Sequence, residues 1–185
     1  MPGPGKLPSL ETPRLALRWL REDDIDDLFA IFGDPEVMRF WSTPPYASRD
    51  DVRALLASIR DGFERARLFQ WGVERKEDHR VIGTTTLARI DRANRRAEIG
   101  FALGRAHWGQ GYAQEAVTAV LDHAFDALAL HRIEADVDPH NAASLCTLER
   151  LGFEREGYLR ERWQVGGATQ DSVILGLLRS GWRPR

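Results

Sequence analysis

The stretch AEIGFALGRAHWGQGYAQEA, residues 97–116, decides the fold because it runs from a strand through a glycine turn into a helix. Apolar residues alternate over 97–103, which predicts a half-buried strand with Glu98 on the face opposite the large apolar side chains. Gly109 and Gly111 then precede a run of helix formers. This order predicts an anion site, since the N–H groups and dipole of a helix N-terminus favour phosphate. An ordinary tight turn is the alternative.

Two familiar phosphate-binding patterns are absent from this stretch. The P-loop run G-x-x-x-x-G-K-[ST] does not occur in the sequence. The dinucleotide pattern G-x-G-x-x-G would require a third glycine where Gln114 stands, and the preceding strand lies in a predicted antiparallel meander. A nicotinamide enzyme is therefore not favoured.

Composition narrows the class of protein. The 185 residues suffice for one domain with a substantial core, and residues 1–8 are expected to be flexible. A net charge of -2 disfavours nucleic acid as the partner. Cys146 has no second cysteine with which to form a disulfide, and no segment is apolar enough for a secretory signal or a membrane span. We expect a cytoplasmic protein with no membrane partner.

Hydrophobic periodicity predicts a mixed α/β fold around one sheet. The predicted elements are a strand over 14–20, a helix from 21 that ends near Gly33 and Pro35, a helix from Ser48 to about Arg67, strands over 68–75, 80–90 and 97–103, a helix over 113–128, a strand over 132–138, a helix between Asn141 and Gly152, and two strands over 157–178 around Gly166 and Gly167.

Two separated motifs together resemble the GNAT acetyltransferases, and in particular their RimJ/RimL-like branch, which acetylates ribosomal proteins. They are the stretch over 97–116 and HRIEADVDPHNAASLCTLERLGFEREG over 131–157. The resemblance covers the whole chain, 1–185, as a single domain. It implies a central, mostly antiparallel sheet that splays at the acyl-CoA site and is flanked by helices. It also implies acetyl-CoA as co-substrate and an amine as acceptor, with no metal.

The resemblance implies which residues hold coenzyme A. The family signature Q/R-x-x-G-x-G/A falls on residues 108–113, where Trp108 replaces the usual Gln or Arg and leaves the backbone amides of 109–114 to hold the pyrophosphate. Strand backbone would hold the pantetheine arm, and Asn141 would contact that arm near its sulfur. The implied coenzyme-binding residues are Phe101, Leu103, Trp108, Gly109, Gln110, Gly111, Tyr112, Ala113, Gln114 and Asn141.

Acetyl transfer to an amine requires a base for the amine and a proton for the thiolate. At pH 7 about a tenth of α-amines are already neutral, so a weak carboxylate base suffices for a protein N-terminus. Glu98 is the candidate base; its alternatives are a solvated carboxylate or a partner for an arginine. Many relatives carry a tyrosine as acid where this chain has Leu148, and Ser144 is the substitute that the branch suggests. An ordinary helix serine is the alternative.

The acceptor is open at this point. A protein N-terminal α-amine or a small amine fits an enzyme, and a non-catalytic acyl-CoA-binding domain is the rival that Leu148 suggests. A polyanion-binding surface on the arginine-rich turn over 89–96 is disfavoured by the net charge. Cys146 is expected to be buried and structural, and the five histidines lack metal-ligand spacing. Monomer and homodimer are both open. Aromatic candidates for the acceptor groove, each also readable as core, are Phe40, Trp41, Tyr46 and Trp163.

Overall fold

An eight-stranded sheet runs through residues 7–183, the part of the chain that the computed structural model describes. Its spatial order is β1-β2-β3-β4-β5-β6-β8-β7, and all neighbours are antiparallel except β5 and β6. The strands are β1 (Leu10–Glu11), β2 (Leu15–Arg18), β3 (Leu68–Arg75), β4 (Arg80–Asp91), β5 (Arg96–Leu103), β6 (Arg132–Val137), β7 (Glu154–Val165) and β8 (Ala168–Leu178). The predicted mixed, mostly antiparallel architecture is confirmed.

Helices flank this sheet, and local capping sets where they begin and end. They are α1 (Ile25–Phe32), α2 (Pro35–Met38), α3 (Arg49–Glu64), α4 (Tyr112–Asp122) and α5 (Ala142–Arg150). The capping box of Ser48 and Asp51 starts α3. The predicted end near Arg67 is too late, because Ala66 takes a φ of 53° and the Arg67 N–H turns back to the Gly62 carbonyl. That turn is a Schellman motif, which closes α3.

The core fills the space between the helices and the sheet. Val117, Val120 and Leu121 of α4 are fully buried, as the helical periodicity predicts. A π-helical turn over His123–Ala127 extends α4, so the predicted helix over 113–128 changes geometry at its end. The fully buried Trp71 donates its indole N–H to the Pro8 carbonyl at 2.9 Å.

That contact bears on the expected flexibility of residues 1–8. Leu7 is buried in the core and the Pro8 carbonyl accepts the Trp71 hydrogen bond, so both residues contact the folded domain, and their flexibility stays a prediction. For residues 1–6 the expectation lies outside the described residues.

The parallel pair β5 and β6 separates after a short register. Only Arg96 to Glu98 pair with Arg132 to Glu134, although β5 continues to Leu103 and β6 to Val137. Beyond this point β6 stays paired with β8 and β5 stays paired with β4. The edge of β5 that faces β6 is therefore free of strand partners after Glu98. The predicted splay of the sheet is confirmed.

Candidate active site

A cleft of about 330 Å³ opens at the point where β5 and β6 separate. Glu98 and Phe101 of β5 line it, together with Asn141 and Ser144 at the start of α5. Glu98 and Phe101 are at least 40 positions away from Asn141 and Ser144 in the sequence. The splayed part of the sheet therefore brings distant residues together. Such a concave site with a few convergent polar groups is the usual form of a small-molecule site.

Glu98 lies in the cleft and is partly shielded from solvent. Its side chain is 24% exposed, and its carboxylate accepts a hydrogen bond from Arg89 Nη1 at 2.9 Å. Burial raises the pKa of Glu98, the Arg89 guanidinium opposes that shift, and the charges of Asp136 and Glu134 add to it. Both interpretations from the sequence thus apply to this residue: it pairs with an arginine and it faces the cleft.

Asn141 and Ser144 form the N-terminus of α5. The side-chain oxygen of Asn141 accepts the Ser144 N–H at 3.1 Å, which is the predicted capping contact. No described residue accepts a hydrogen bond from the Asn141 side-chain nitrogen, so this donor is available to a ligand. Leu148 is fully buried and also lines the cleft, so an apolar side chain stands where the resemblance implies a tyrosine acid.

The glycine turn before α4 has the geometry of an anion cradle. Gly109 and Gly111 take φ values of 72° and 80°, which a residue with a Cβ rarely adopts. The first amide of this segment with a backbone acceptor is that of Glu115, which donates to the Gly111 carbonyl at 3.1 Å. Within residues 7–183, the N–H groups of 109–114 therefore have no backbone partner. Free amides at a helix N-terminus suit a phosphate group.

The side chains around this cradle point elsewhere. The Trp108 indole N–H donates to the Leu103 carbonyl at 2.8 Å, and the Gln110 amide donates to the Ala106 carbonyl at 2.9 Å. Tyr112 is 7% exposed and belongs to the core. At these positions only the backbone is placed to serve a ligand. The resemblance implies that the backbone of Leu103 helps to hold the pantetheine arm, and in the structure the Leu103 carbonyl is occupied by the Trp108 indole.

The predicted coenzyme residues divide between two places. Phe101 and Asn141 line the cleft, whereas Gly111 and Gln114 line a separate hollow against the turn between β1 and β2, and Ala113 packs partly buried against the core. A ligand that uses both places is an elongated molecule.

Arg14 is a residue that the sequence reasoning missed. Its Nε donates to Glu115 at 2.7 Å, its Nη1 donates to the Gln110 carbonyl at 2.9 Å, and its guanidinium lies 4.3 Å from the Tyr112 ring centre. It thus binds the first turn of α4 and the glycine turn together. The Arg14–Glu115 contact joins residues 101 positions apart, so no local sequence pattern predicts it.

The aromatic candidates and the arginine-rich turn also acquire definite places. Phe40, Trp41 and Trp163 line the cleft, whereas Tyr46 packs on Phe32 with ring centres 5.6 Å apart. The arginine-rich turn is divided by ion pairs, since Arg89 binds Glu98 and Arg96 lies 3.4 Å from Glu134 and 3.5 Å from Asp91.

Three further findings complete the site. Cys146 is exposed on α5, whose buried residues are Leu145 and Leu148, so the expectation that it is buried is wrong. Within residues 7–183 no group of three or more His, Cys, Asp or Glu could hold a metal ion. No helix in the same part of the chain is long and apolar enough to cross a membrane.

Comparison with known proteins agrees with this geometry. The sequence profile of the acetyltransferase (GNAT) domain matches residues 14–154. The chain is 38% identical to the uncharacterized N-acetyltransferase p20 of Bacillus licheniformis, covering 92% of this chain and 96% of that one. It is 28% identical to the [ribosomal protein uS5]-alanine N-acetyltransferase of Escherichia coli, covering 95% and 93%.

A solved structure shares the fold. The spermidine N-acetyltransferase of Vibrio cholerae, in complex with CoA and spermine, superposes with a TM-score of 0.81 at 27% identity, covering 92% of this chain and 98% of that one. The chain belongs to the GNAT acetyltransferase family, and it is an acyl-CoA-dependent N-acetyltransferase that uses acetyl-CoA. The ribosomal-protein acetyltransferases are distant relatives at 28% identity, so the RimJ/RimL-like branch stays a prediction.

Proposed function

We propose that this enzyme acetylates a primary amine by direct attack within a ternary complex, with Glu98 as the base. The observation that carries the proposal is the place of Glu98, in the cleft where β5 parts from β6. Burial raises its pKa, which brings the carboxylate closer to the pH at which an amine must lose a proton. A base works best when its pKa lies near the working pH.

Coenzyme A is proposed to bind from the glycine turn to the cleft. The free amides of 109–114 would hold the pyrophosphate, and Arg14 would keep that turn in place. The unpaired edge of β5 beyond Glu98 offers backbone groups to the pantetheine arm near Phe101. The free side-chain nitrogen of Asn141 lies at the other wall of the cleft, where it would meet the arm close to the sulfur.

The reaction then needs one proton removed and one supplied. The amine nitrogen attacks the thioester carbonyl, the C–N bond forms and the C–S bond breaks. Glu98 takes the proton that the amine loses, directly or through water. The coenzyme thiolate takes a proton from the Ser144 hydroxyl or from solvent, because Ser144 lines the same cleft and Leu148 supplies none. Holding both reactants in one cleft supplies much of the rate.

Two acceptor classes have support. A protein N-terminal α-amine, the RimJ/RimL-like substrate, is supported by the likeness to the uS5-alanine acetyltransferase and by the modest base that such an amine needs. A small cationic amine is supported by the likeness to the spermidine N-acetyltransferase and by the acidic lining of the cleft, which includes Asp136, Asp138 and Asp171 beside Glu98.

Thiol release from acetyl-CoA tests the proposal. The acceptor panel contains peptides with free Ala or Ser N-termini, small monoamines and small diamines, with N-terminally blocked peptides as controls. We expect release with at least one primary amine and none with the blocked peptides. Tight coenzyme A binding without release across the panel supports the non-catalytic acyl-CoA-binding domain instead. Mass spectrometry of N-terminal acetylation, with and without the gene, tests the protein substrates.

Some properties of the protein stay predictions from the sequence. They are one acetyltransferase domain over 1–185, a cytoplasmic location, and a monomeric or homodimeric state.

A further inference from the structure

The cleft contains two buried polar atoms without a hydrogen-bond partner. They are Oδ2 of Asp136 on β6 and Oγ of Ser172 on β8, and both residues line the cleft beside Glu98. The Asp136 side chain is 9% exposed, and Ser172 is 1% exposed. The strands are paired with Asp136 opposite Ile174, so Ser172 lies on the same face, one diagonal step from Asp136.

The other carboxylates of the cleft are engaged. Glu98 accepts Arg89, Asp138 accepts the backbone N–H of His140 at 2.7 Å, and Asp171 accepts the backbone N–H of Glu161 at 2.7 Å. Asp136 alone among these four has a buried oxygen without a hydrogen bond from a described residue.

A long ion pair with Arg162 leaves this oxygen without a hydrogen bond. Arg162 Nε lies 3.6 Å from Asp136 Oδ2, which is beyond hydrogen-bond distance, and its guanidinium rests on Trp163 at 5.5 Å from the ring centre. The Arg162 side chain is 41% exposed. A buried carboxylate with unmet hydrogen-bonding capacity is costly, and a cation that enters the cleft would relieve that cost.

We propose that Asp136 and Ser172 form a cation site that binds a second, protonated amine of the acceptor while Glu98 serves the reactive amine. The inference rests on the proposed function and specifies its acceptor as a short diamine or polyamine. Asp136 is two residues beyond Glu134, which is the register partner of Glu98. A rise of about 3.3 Å per residue and a strand spacing of about 4.8 Å place the two Cα atoms at least about 8 Å apart. Two carboxylates at that separation suit two amines joined by a short carbon chain.

The test compares two acceptors that differ by one ammonium group, 1,4-diaminobutane and butan-1-amine. The readout is the ratio of their kcat/KM values with saturating acetyl-CoA. We expect the wild-type ratio to exceed tenfold, and Asp136→Asn to lower it about ten- to hundredfold, the usual effect of a hydrogen bond to a charged group. Ser172→Ala, a smaller change, should lower the ratio several-fold and serves if Asp136→Asn does not fold.

Two matched variants separate binding from structure. Asp138→Asn removes the same charge from the same cleft, but the Asp138 carboxylate is already satisfied by His140, so the ratio should fall much less than in Asp136→Asn. Arg162→Gln should leave the ratio unchanged or raise it, because the competing guanidinium is gone. If Asp136 serves only to hold Arg162, then Arg162→Gln will lower the ratio as Asp136→Asn does, and the inference is overturned.

The remaining outcomes distinguish this inference from the proposed function. Thiol release at equal efficiency with both amines, unaffected by Asp136→Asn, overturns the cation site and leaves the acetyltransferase proposal intact. No thiol release with any primary amine overturns the proposed function and the cation site together.

Discussion

Replacing Glu98 by Gln tests the base directly, because it keeps the size of the side chain and an oxygen for Arg89 while removing the titratable group. A positioned general base contributes roughly 10²- to 10⁴-fold to turnover. We therefore expect the Glu98→Gln enzyme to be slower by about that factor at pH 6.5 with an α-amine acceptor.

The pH dependence follows from two titrations. With an amine pKa of about 7.8, about 5% of α-amines are neutral at pH 6.5 and about 80% at pH 8.5, a rise of roughly 15-fold. The variant can use only amine that arrives neutral, so its deficit should narrow by about this factor over that range. The base must be ionised, and burial raises the pKa of Glu98. As the pH decreases, the wild-type rate should therefore begin to fall at a higher pH than it would with an ordinary glutamate.

The assay is a pH–rate profile of thiol release from acetyl-CoA with the best available amine. Glu134→Gln is the matched control: Glu134 is the register partner of Glu98 on β6 and carries the same charge, but it does not line the cleft. We expect the control to retain most of the wild-type rate. Turnover of Glu98→Gln close to wild type at pH 6.5 would refute the role of Glu98 and leave proximity of the two substrates as the main source of catalysis.

Three further substitutions test the coenzyme side. Ser144→Ala should reduce turnover less than Glu98→Gln, because solvent also protonates a thiolate. This deficit should stay constant as the pH rises, and a deficit that disappears at high pH contradicts the prediction. Gly111→Val should weaken coenzyme A binding, measured by calorimetry. Gly167→Val is the control, because Gly167 has a similar φ of 85° in the β7–β8 hairpin, and this variant should lose stability but not coenzyme affinity. Coenzyme affinity of Gly111→Val equal to that of the wild type contradicts the phosphate cradle. Arg14→Gln should raise the coenzyme Kd about 5- to 30-fold at similar kcat, since Glu115 loses its charged partner; an unchanged Kd contradicts the positioning role.

Local patterns in the sequence predicted most of the elements. Alternation marked β5, and helical periodicity marked α4, because both signals arise from neighbours along the chain that share one buried face. The ends were less predictable. Ala66 closes α3 with a positive φ, which is not predicted from an alanine. At His123 a π-helical turn begins, although the hydrophobic periodicity of α4 continues through it.

Some features of the candidate site could likewise be predicted from the sequence, and others could not. The glycine turn and the Asn141 cap could be read from the chain, since a turn and a cap are made by residues within a few positions of each other. The sequence left open whether Glu98 pairs with an arginine, and the structure shows the pair with Arg89. The structure also adds the charge of Asp136 to burial as a cause of the raised pKa of Glu98. That cause depends on which strands become neighbours.

By itself the sequence determined the order of elements, the glycine turn and the family to which the chain belongs, because these depend on short-range periodicity and on motifs of a few residues. Only the tertiary structure decided that Arg14 binds Glu115 across 101 positions, that the Trp108 indole occupies the Leu103 carbonyl, and that Asp136 is left buried without a hydrogen bond. The physical reason is that hydrogen bonds and desolvation act over a few ångströms of space. Packing the sheet brings distant positions within that range.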